Sequence, residues 1–468
     1  MLKKLKTFFK KQNSFRYIAV GFLLVILLGS ALLMIPGVSR TVNPNTGELI
    51  NLRYIDALYT STSAVCVTGL IAVDTFETYT LAGQIIIMFL IQIGGLGITT
   101  LGAGLIGALR RRLSLKEQSV IQESLNFDSA RGLLELFKRV FLYTFIIEMV
   151  GAGLSMVTFL RPDVLSGTFS NDYGRAVFTS FFHSIAAFNN SGFDIMGGLN
   201  NFTIAPFNTD IFFNLLTCTL IILGGLGFLV LSDIRRNFFH PKKTSLHTKV
   251  VLLMTSILIV FGTLLLALTE REQIATGEFS WLGAFFSSVT ARTAGFSTYN
   301  IGRFSQAGLI ILIILMFIGA SPGSTGGGIK TTTLFVLFMG IKSMITHKKP
   351  HAFKYSVSEE AIKKAMSVLV LGLVVVITSS VIVCLIENSR LPDIGSHRGA
   401  LDAVFEMTSA YGTVGLSTGI TPHLAVGSKV VSIMVMYIGR VGPLTIMSSW
   451  YSGKDEYFGY AEGIIPIG

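Results

Sequence analysis

The sequence predicts an all-α membrane protein built from four tandem helix–loop–helix repeats, with eight transmembrane helices in all. Three observations predict it. Hydrophobic residues make up 51% of the 468 positions and charged residues only 13%, about half the charged share of a soluble domain. Long apolar runs recur from end to end with short polar connections between them. Four short turns, each carrying a glycine just before Leu or Phe, interrupt the chain at equivalent points.

The first 16 residues form a basic arm. The apolar run that follows, 17–35, ends at Pro36 rather than at a small-residue cleavage site, so it reads as a retained first helix and not a signal peptide. The net charge of +11 is one-sided: 24 of the 37 Lys and Arg residues fall in the arm and in segments 110–139, 235–249 and 342–364. By the positive-inside rule those four segments and both termini are cytoplasmic, on the inner face of the cell membrane. The units are then the arm 1–16 and repeats 17–115, 116–248, 249–350 (with a broken second helix) and 351–468, the last including a C-terminal tail. Cys66, Cys218 and Cys384 lie far apart in apolar stretches without metal-ligand spacing and read as packing residues.

Each repeat holds a first long run (17–35, 137–160, 250–268, 365–386), then a shorter stretch, a turn and a second long run. The second runs are 81–109, 210–231, 306–319 continued to 344, and 426–450, each long enough to span as a helix. The shorter stretches, 54–66, 176–189, 281–292 and 401–412, are too short to cross and read as re-entrant helices. The turns are VTGL (67–70), NSGF (190–193), TAGF (293–296) and TVGL (413–416). Their glycines, Gly69, Gly192, Gly295 and Gly415, stand 123, 103 and 120 residues apart. Gly-rich breaks at Gly94, Gly224, Gly319 and Gly439 follow them by 25, 32, 24 and 24 residues, which places the breaks at similar depth.

Non-helical backbone at membrane depth must line a watery passage or be buried in protein. Four such turns therefore predict convergence on one axis, as four helix–pore loop–helix repeats around one pseudo-fourfold pore. Backbone carbonyls aimed at the axis replace the water around a dehydrated cation, and a glycine tolerant of positive φ permits that backbone. The negative C-terminal ends of the short helices favour the same charge. The ion-binding residues on this reading are Val67, Thr68 and Gly69; Asn190, Ser191 and Gly192; Thr293, Ala294 and Gly295; and Thr413, Val414 and Gly415.

These turns resemble degenerate copies of the potassium-channel TVGYG filter, with 413–416 nearest and NSG in the second repeat furthest from it. Four such units in one chain resemble the Ktr/Trk/HKT superfamily of potassium transporters, and among them the KtrB-type membrane subunits of bacterial Ktr systems, over about residues 17–450. The resemblance implies potassium translocation through a four-loop selectivity filter, with potassium held by filter carbonyls and no cofactor in this chain. Sodium coupling stays open. It also implies a homodimer carrying a KtrA-like, nucleotide-binding cytoplasmic regulatory ring.

Lys330 follows SPGSTGGGI inside the third repeat's second run, where an ammonium is costly unless it meets water or polar backbone. A kink with Lys330 snorkelling to the surface and an irregular loop 320–330 beneath the filter fit the residues equally well. The resemblance favours the loop as an intramembrane gate, with Gly323, Gly326, Gly327, Gly328 and Lys330 as its residues. Arg440, near the middle of the last span, reads either as a buried ion pair or as an electrostatic barrier or latch for that gate, and the resemblance favours the barrier or latch. Glu148 reads as a helix contact, His183 as packing, and Arg292 as an element of the third turn whose role is open. Asp56, Asp74, Asp194 and Asp402 read by default as solvated outer carboxylates, with attraction of cations to the mouth as the alternative.

No GxxxxGK(S/T), HExxH or CxxC motif occurs, and the spans hold no cluster of His, Asp and Glu, so an enzyme is not expected. GASPG (319–323) and GAGLIG (102–107) match a nucleophile elbow and a dinucleotide loop formally, but both sit in apolar spans. A secondary transporter of a small organic solute with discontinuous helices is the alternative; such folds carry two inverted repeats rather than four same-direction units.

Overall fold

A computed structural model of the chain describes residues 14–42, 47, 50–97, 133–196, 204–240, 243–353, 355–388 and 399–443. The first unit contains α1 (Ser14–Leu33), the short α2 (Tyr54–Val65) and α3 (Leu81–Leu96). The second contains α4 (Leu133–Phe159), α5 (Tyr173–Phe188), α6 (Ile211–Leu226) and α7 (Phe228–Arg236). The third contains α8 (Leu246–Thr269), α9 (Trp281–Thr290), α10 (Gln306–Phe317) and α11 (Thr331–Thr346). The fourth contains α12 (Glu359–Glu387), α13 (Ala400–Gly412) and α14 (Val426–Val441). Many starts are capped by a side-chain oxygen on the third amide, as at Asp172, Asp210, Ser245, Ser280, Ser305 and Ser358.

Among the described residues three helices are long and apolar enough to cross a membrane: Arg139–Phe159, Leu246–Thr269 and Glu359–Glu387. The outward faces of the long helices remain apolar, with Leu24, Leu28, Phe145, Val157, Val260, Phe261, Ile377 and Leu385 exposed. Such faces suit a hydrocarbon solvent. The second helices are shorter than their runs because each stops at its break. α3 ends at Gly97 (φ 81°), α6 at Gly227 (φ 90°) and α14 at Gly442 (φ 93°). The run 210–231, expected as one helix, is instead bent by 96° between α6 and α7, so among the described residues the second repeat, as well as the third, has a broken second helix. Residues 98–109 and 444–450, expected to complete two spans, lie outside the described residues, as do the arm 1–13, the boundary at 115/116 and the tail to 468. Among the described residues one antiparallel pair of two-residue strands, His351–Ala352 with Tyr355–Ser356, lies between α11 and α12.

The packing follows a cyclic rule. Each unit's long first helix backs its own short helix: α1 on α2, α4 on α5, α8 on α9, α12 on α13. Each second helix then packs on the short helix of the next unit: α3 on α5, α6 on α9, α10 on α13, and α14 back on α2. Close approach within a unit depends on missing side chains. A Cβ at Gly94, Gly224 or Gly439 would collide with the carbonyl of Val65, Phe188 or Tyr411, at the end of that unit's short helix.

Candidate functional site, a ring of four backbone turns

The four short helices end where the four turns begin, and the turns share one backbone conformation. The first residue of each is left-handed: Val67 at φ 56°, Asn190 at 58°, Thr293 at 77° and Thr413 at 49°. The glycine two positions later is left-handed again, at 90°, 67°, 81° and 93° for Gly69, Gly192, Gly295 and Gly415. Thr68, Ser191, Ala294 and Val414 between them stay outside that region. Alternating hands turn successive carbonyls to the same side, which an all-right-handed segment does not do.

The amides point the other way, back into the short helices. The N–H of Thr68 donates to Ser63 O (2.8 Å), that of Ser191 to Ala186 O (2.9 Å), that of Ala294 to Thr290 O (2.9 Å) and that of Val414 to Ser409 O (2.9 Å). All twelve residues expected to bind ions are buried, and the turns meet. A Cβ built on Gly69 would strike Ser191 O, one on Gly192 Ala294 O, one on Gly295 Val414 O, and one on Gly415 Thr68 O. The order one, two, three, four, one closes a ring in which each glycine lies against the middle carbonyl of the next turn.

The segment 318–330 joins α10 to α11 without helix. Its base is pinned where the Gly319 N–H donates to Ile329 O (2.8 Å). From there it reaches the ring: the Gly327 N–H donates to Thr413 Oγ1 (2.9 Å), and a Cβ on Gly326 would collide with Thr293 Oγ1. It also takes the break of the second unit as partner, with Ser321 N–H donating to Gly225 O (3.1 Å) and Phe228 N–H to Gly323 O (3.0 Å). Gly323 and Gly328 are both left-handed at φ 68°. Lys330 turns back on the loop and its Nζ donates to Gly326 O (2.7 Å). Arg440 donates through Nη1 to Thr325 O and through Nη2 to Gly94 O, tying the loop to the first and fourth units. Both cations are half-buried. Among the described residues the partners of the Arg440 guanidinium are these two carbonyls and not a carboxylate.

The remaining sequence candidates separate. Glu148 accepts from Asn189 Nδ2 (2.9 Å) and from Gln92 Nε2 (3.3 Å), a contact between the first and second units. His183 stacks on Phe213 and meets Thr217 Oγ1 at 3.0 Å, as packing requires. Arg292 is 6% exposed beside the third turn, and its Nη2 donates to Thr255 Oγ1 at 3.4 Å. Two of the acids read as solvated are buried: Asp56 is 4% exposed and Asp402 is 2% exposed. Asp56 accepts from Lys429 Nζ (2.8 Å), a pair that solvation arguments from sequence overlook.

A family model described as a cation transport protein, TrkH, matches residues 3–453. The chain belongs to the TrkH cation transport family. It is 36% identical to the Ktr system potassium uptake protein B of Vibrio alginolyticus, over 97% of this chain and 94% of that protein. It is 35% identical to the Ktr system potassium uptake protein B of Bacillus subtilis over 96% of each chain, and 35% identical to the potassium/sodium uptake protein NtpJ of Enterococcus hirae over 98% of each. In fold it is similar to the crystal structure of the potassium transporter TrkH from Vibrio parahaemolyticus, with a TM-score of 0.69 at 17% identity, covering 94% of this chain and 86% of that one. The TrkH family consists of membrane ion transporters, and this chain is a multi-pass member.

Two groups in this TrkH-family chain escaped the sequence reading. Lys429, 1% exposed, joins α14 to α2 of the first unit, where Tyr59 and Ser432 also share a hydrogen bond (2.9 Å). Glu406, 1% exposed on α13, accepts from Ser417 Oγ (2.7 Å), the Thr418 N–H (2.9 Å) and Thr421 Oγ1, and so splints the stretch that leaves the fourth turn. Charged residues in otherwise apolar or small-residue segments were the available signal for both.

Proposed function

We propose that this chain translocates potassium across the cytoplasmic membrane through the ring of turns, with eight spans arranged as four same-direction units around one pore. The carrying observation is the closed cycle in which each turn's glycine lies against the next turn's middle carbonyl. A passage lined by such carbonyls replaces the water of a dehydrated cation without a charged side chain. Potassium as the ion is supported by kinship, since relatives at 35% and 36% identity are named potassium uptake or potassium/sodium uptake proteins. Carbonyls of residues 67–69, 190–192, 293–295 and 413–415 bind the ion on this reading. The loop 318–330 is the gate, with Gly323, Gly326, Gly327 and Gly328 giving it its path, Lys330 stiffening it and Arg440 holding it shut.

Growth of a potassium-uptake-deficient bacterium at low potassium tests this reading. The parent chain is expected to rescue growth, and Gly69→Ser, Gly192→Ser, Gly295→Ser and Gly415→Ser are each expected to change potassium-over-sodium preference. Rescue that is equal in all four variants, with unchanged preference, refutes it. Uptake with and without sodium decides coupling. A homodimer with a cytoplasmic nucleotide-binding ring, and cytoplasmic termini, extend the proposal from the family resemblance. Mass measurement of the purified chain with and without such a subunit checks the assembly.

A further inference from the structure

We infer that Ser63 and Ser409 are positioning residues that set cation discrimination by locking the orientation of two of the four ring carbonyls. The inference rests on the proposed ion passage and concerns what aims its oxygens.

A peptide group is planar, so holding its N–H fixes its C=O on the opposite side. The Gly69 N–H donates to Ser63 Oγ (3.0 Å) and the Gly415 N–H donates to Ser409 Oγ (3.1 Å). The carbonyl on the first of these peptides is that of Thr68, which faces Gly415; on the second it is that of Val414, which faces Gly295. Each serine thus grips from behind the peptide whose oxygen faces a neighbouring turn. Both serines are fully buried at 0% exposure, so no water replaces either hydroxyl.

The other two turns lack this grip. Six residues before Gly192 stands Ala186, which has no side-chain oxygen. In the third turn the Gly295 N–H makes only a long bond, 3.4 Å, to the carbonyl of Thr290. A glycine peptide without an acceptor rotates at little cost, because glycine tolerates both hands of backbone. The ring therefore has two pinned carbonyls, contributed by the adjacent first and fourth turns, and two compliant ones.

The test uses the full-length chain in lipid vesicles and reads the potassium-to-sodium permeability ratio, which does not depend on the amount of folded protein. Ser63→Ala and Ser409→Ala are each expected to lower the ratio about tenfold, equivalent to about 1.4 kcal/mol of discrimination. Ser63→Thr and Ser409→Thr, which keep the oxygen, are expected to retain more of the ratio than the alanine variants. Ser61→Ala is the control for packing: this serine is equally buried on the same helix, but its hydroxyl donates to Ile26 O (2.7 Å) and not to a turn. It is expected to affect stability and leave the ratio unchanged. A potassium-selective parent whose ratio survives both alanine substitutions overturns the inference alone. A ratio that falls equally in Ser61→Ala overturns it too, in favour of a packing effect. A parent with no selective flux overturns the proposed passage and this inference together.

Discussion

Replacing Lys429 by methionine probes the seam at which the ring closes. Its ammonium lies 2.8 Å from the Asp56 carboxylate, with side-chain exposures of 1% and 5%. At an effective dielectric constant of about 20 the attraction at that distance is roughly 6 kcal/mol. Desolvating the two ions offsets most of that, so the pair as a whole adds little net stability. Removing one partner is different, because the other charge stays buried, and that typically costs about 3–5 kcal/mol. Asp56 keeps Arg53 at 2.9 Å, but this arginine is 57% exposed and screened by solvent. The lower end, about 3 kcal/mol, is therefore expected for Lys429→Met. The double variant Asp56→Asn/Lys429→Met is expected within about 1 kcal/mol of the parent, because no uncompensated charge remains. Equilibrium unfolding in mixed micelles, followed by helical circular dichroism, measures both. A single variant within about 0.5 kcal/mol of the parent, or a double variant no better than the single, refutes the reasoning.

Three further outcomes are expected. Arg440→Gln removes two charge-assisted bonds to the loop and the first unit. At about 1.5 kcal/mol each, this raises rubidium-tracer flux by roughly 10²-fold, and unchanged flux in a folded variant excludes the latch. Gly415→Ala places a Cβ on Thr68 O and is expected to lower potassium preference sharply, whereas Gly37→Ala, with a similar φ of 88° but open space around it, is expected to leave transport intact. Burial, and then the charge of Asp74, push the Asp194 carboxyl up to about 8, while burial pushes Asp74 up to about 6. Raising the external pH from neutral to about 9 therefore ionises Asp194, adds negative charge at the mouth and lowers the potassium KM, a dependence that Asp194→Asn removes.

The ring of four turns was legible because glycine leaves a countable mark. Gly69, Gly192, Gly295 and Gly415 recur in register, and each occupies a left-handed site where a side chain would strike its neighbour. The variability around them, VTG against NSG, fits the proposal that the ion meets main-chain oxygens, which every residue carries. The irregular segment after Phe317 was legible from its Gly, Ser and Pro content, but its partners were not. Thr413, which receives the Gly327 amide, is 86 residues distant in sequence, and Arg440 lies 115 residues from Thr325. The bend at Gly227 was missed because an apolar run reads the same whether its helix continues or turns. Lys429 and Asp56 were missed as a pair for want of any local pattern linking residues 373 apart.

That separation bears on how the molecule is made. Three of the four junctions join units adjacent in the chain, whereas the fourth awaits synthesis of α14. Until then Asp56 has been inserted without its lysine. A nascent chain stalled before residue 426 therefore has all four turns but lacks the helix that packs on α2 and carries Lys429, and assembly awaits the docking of that helix.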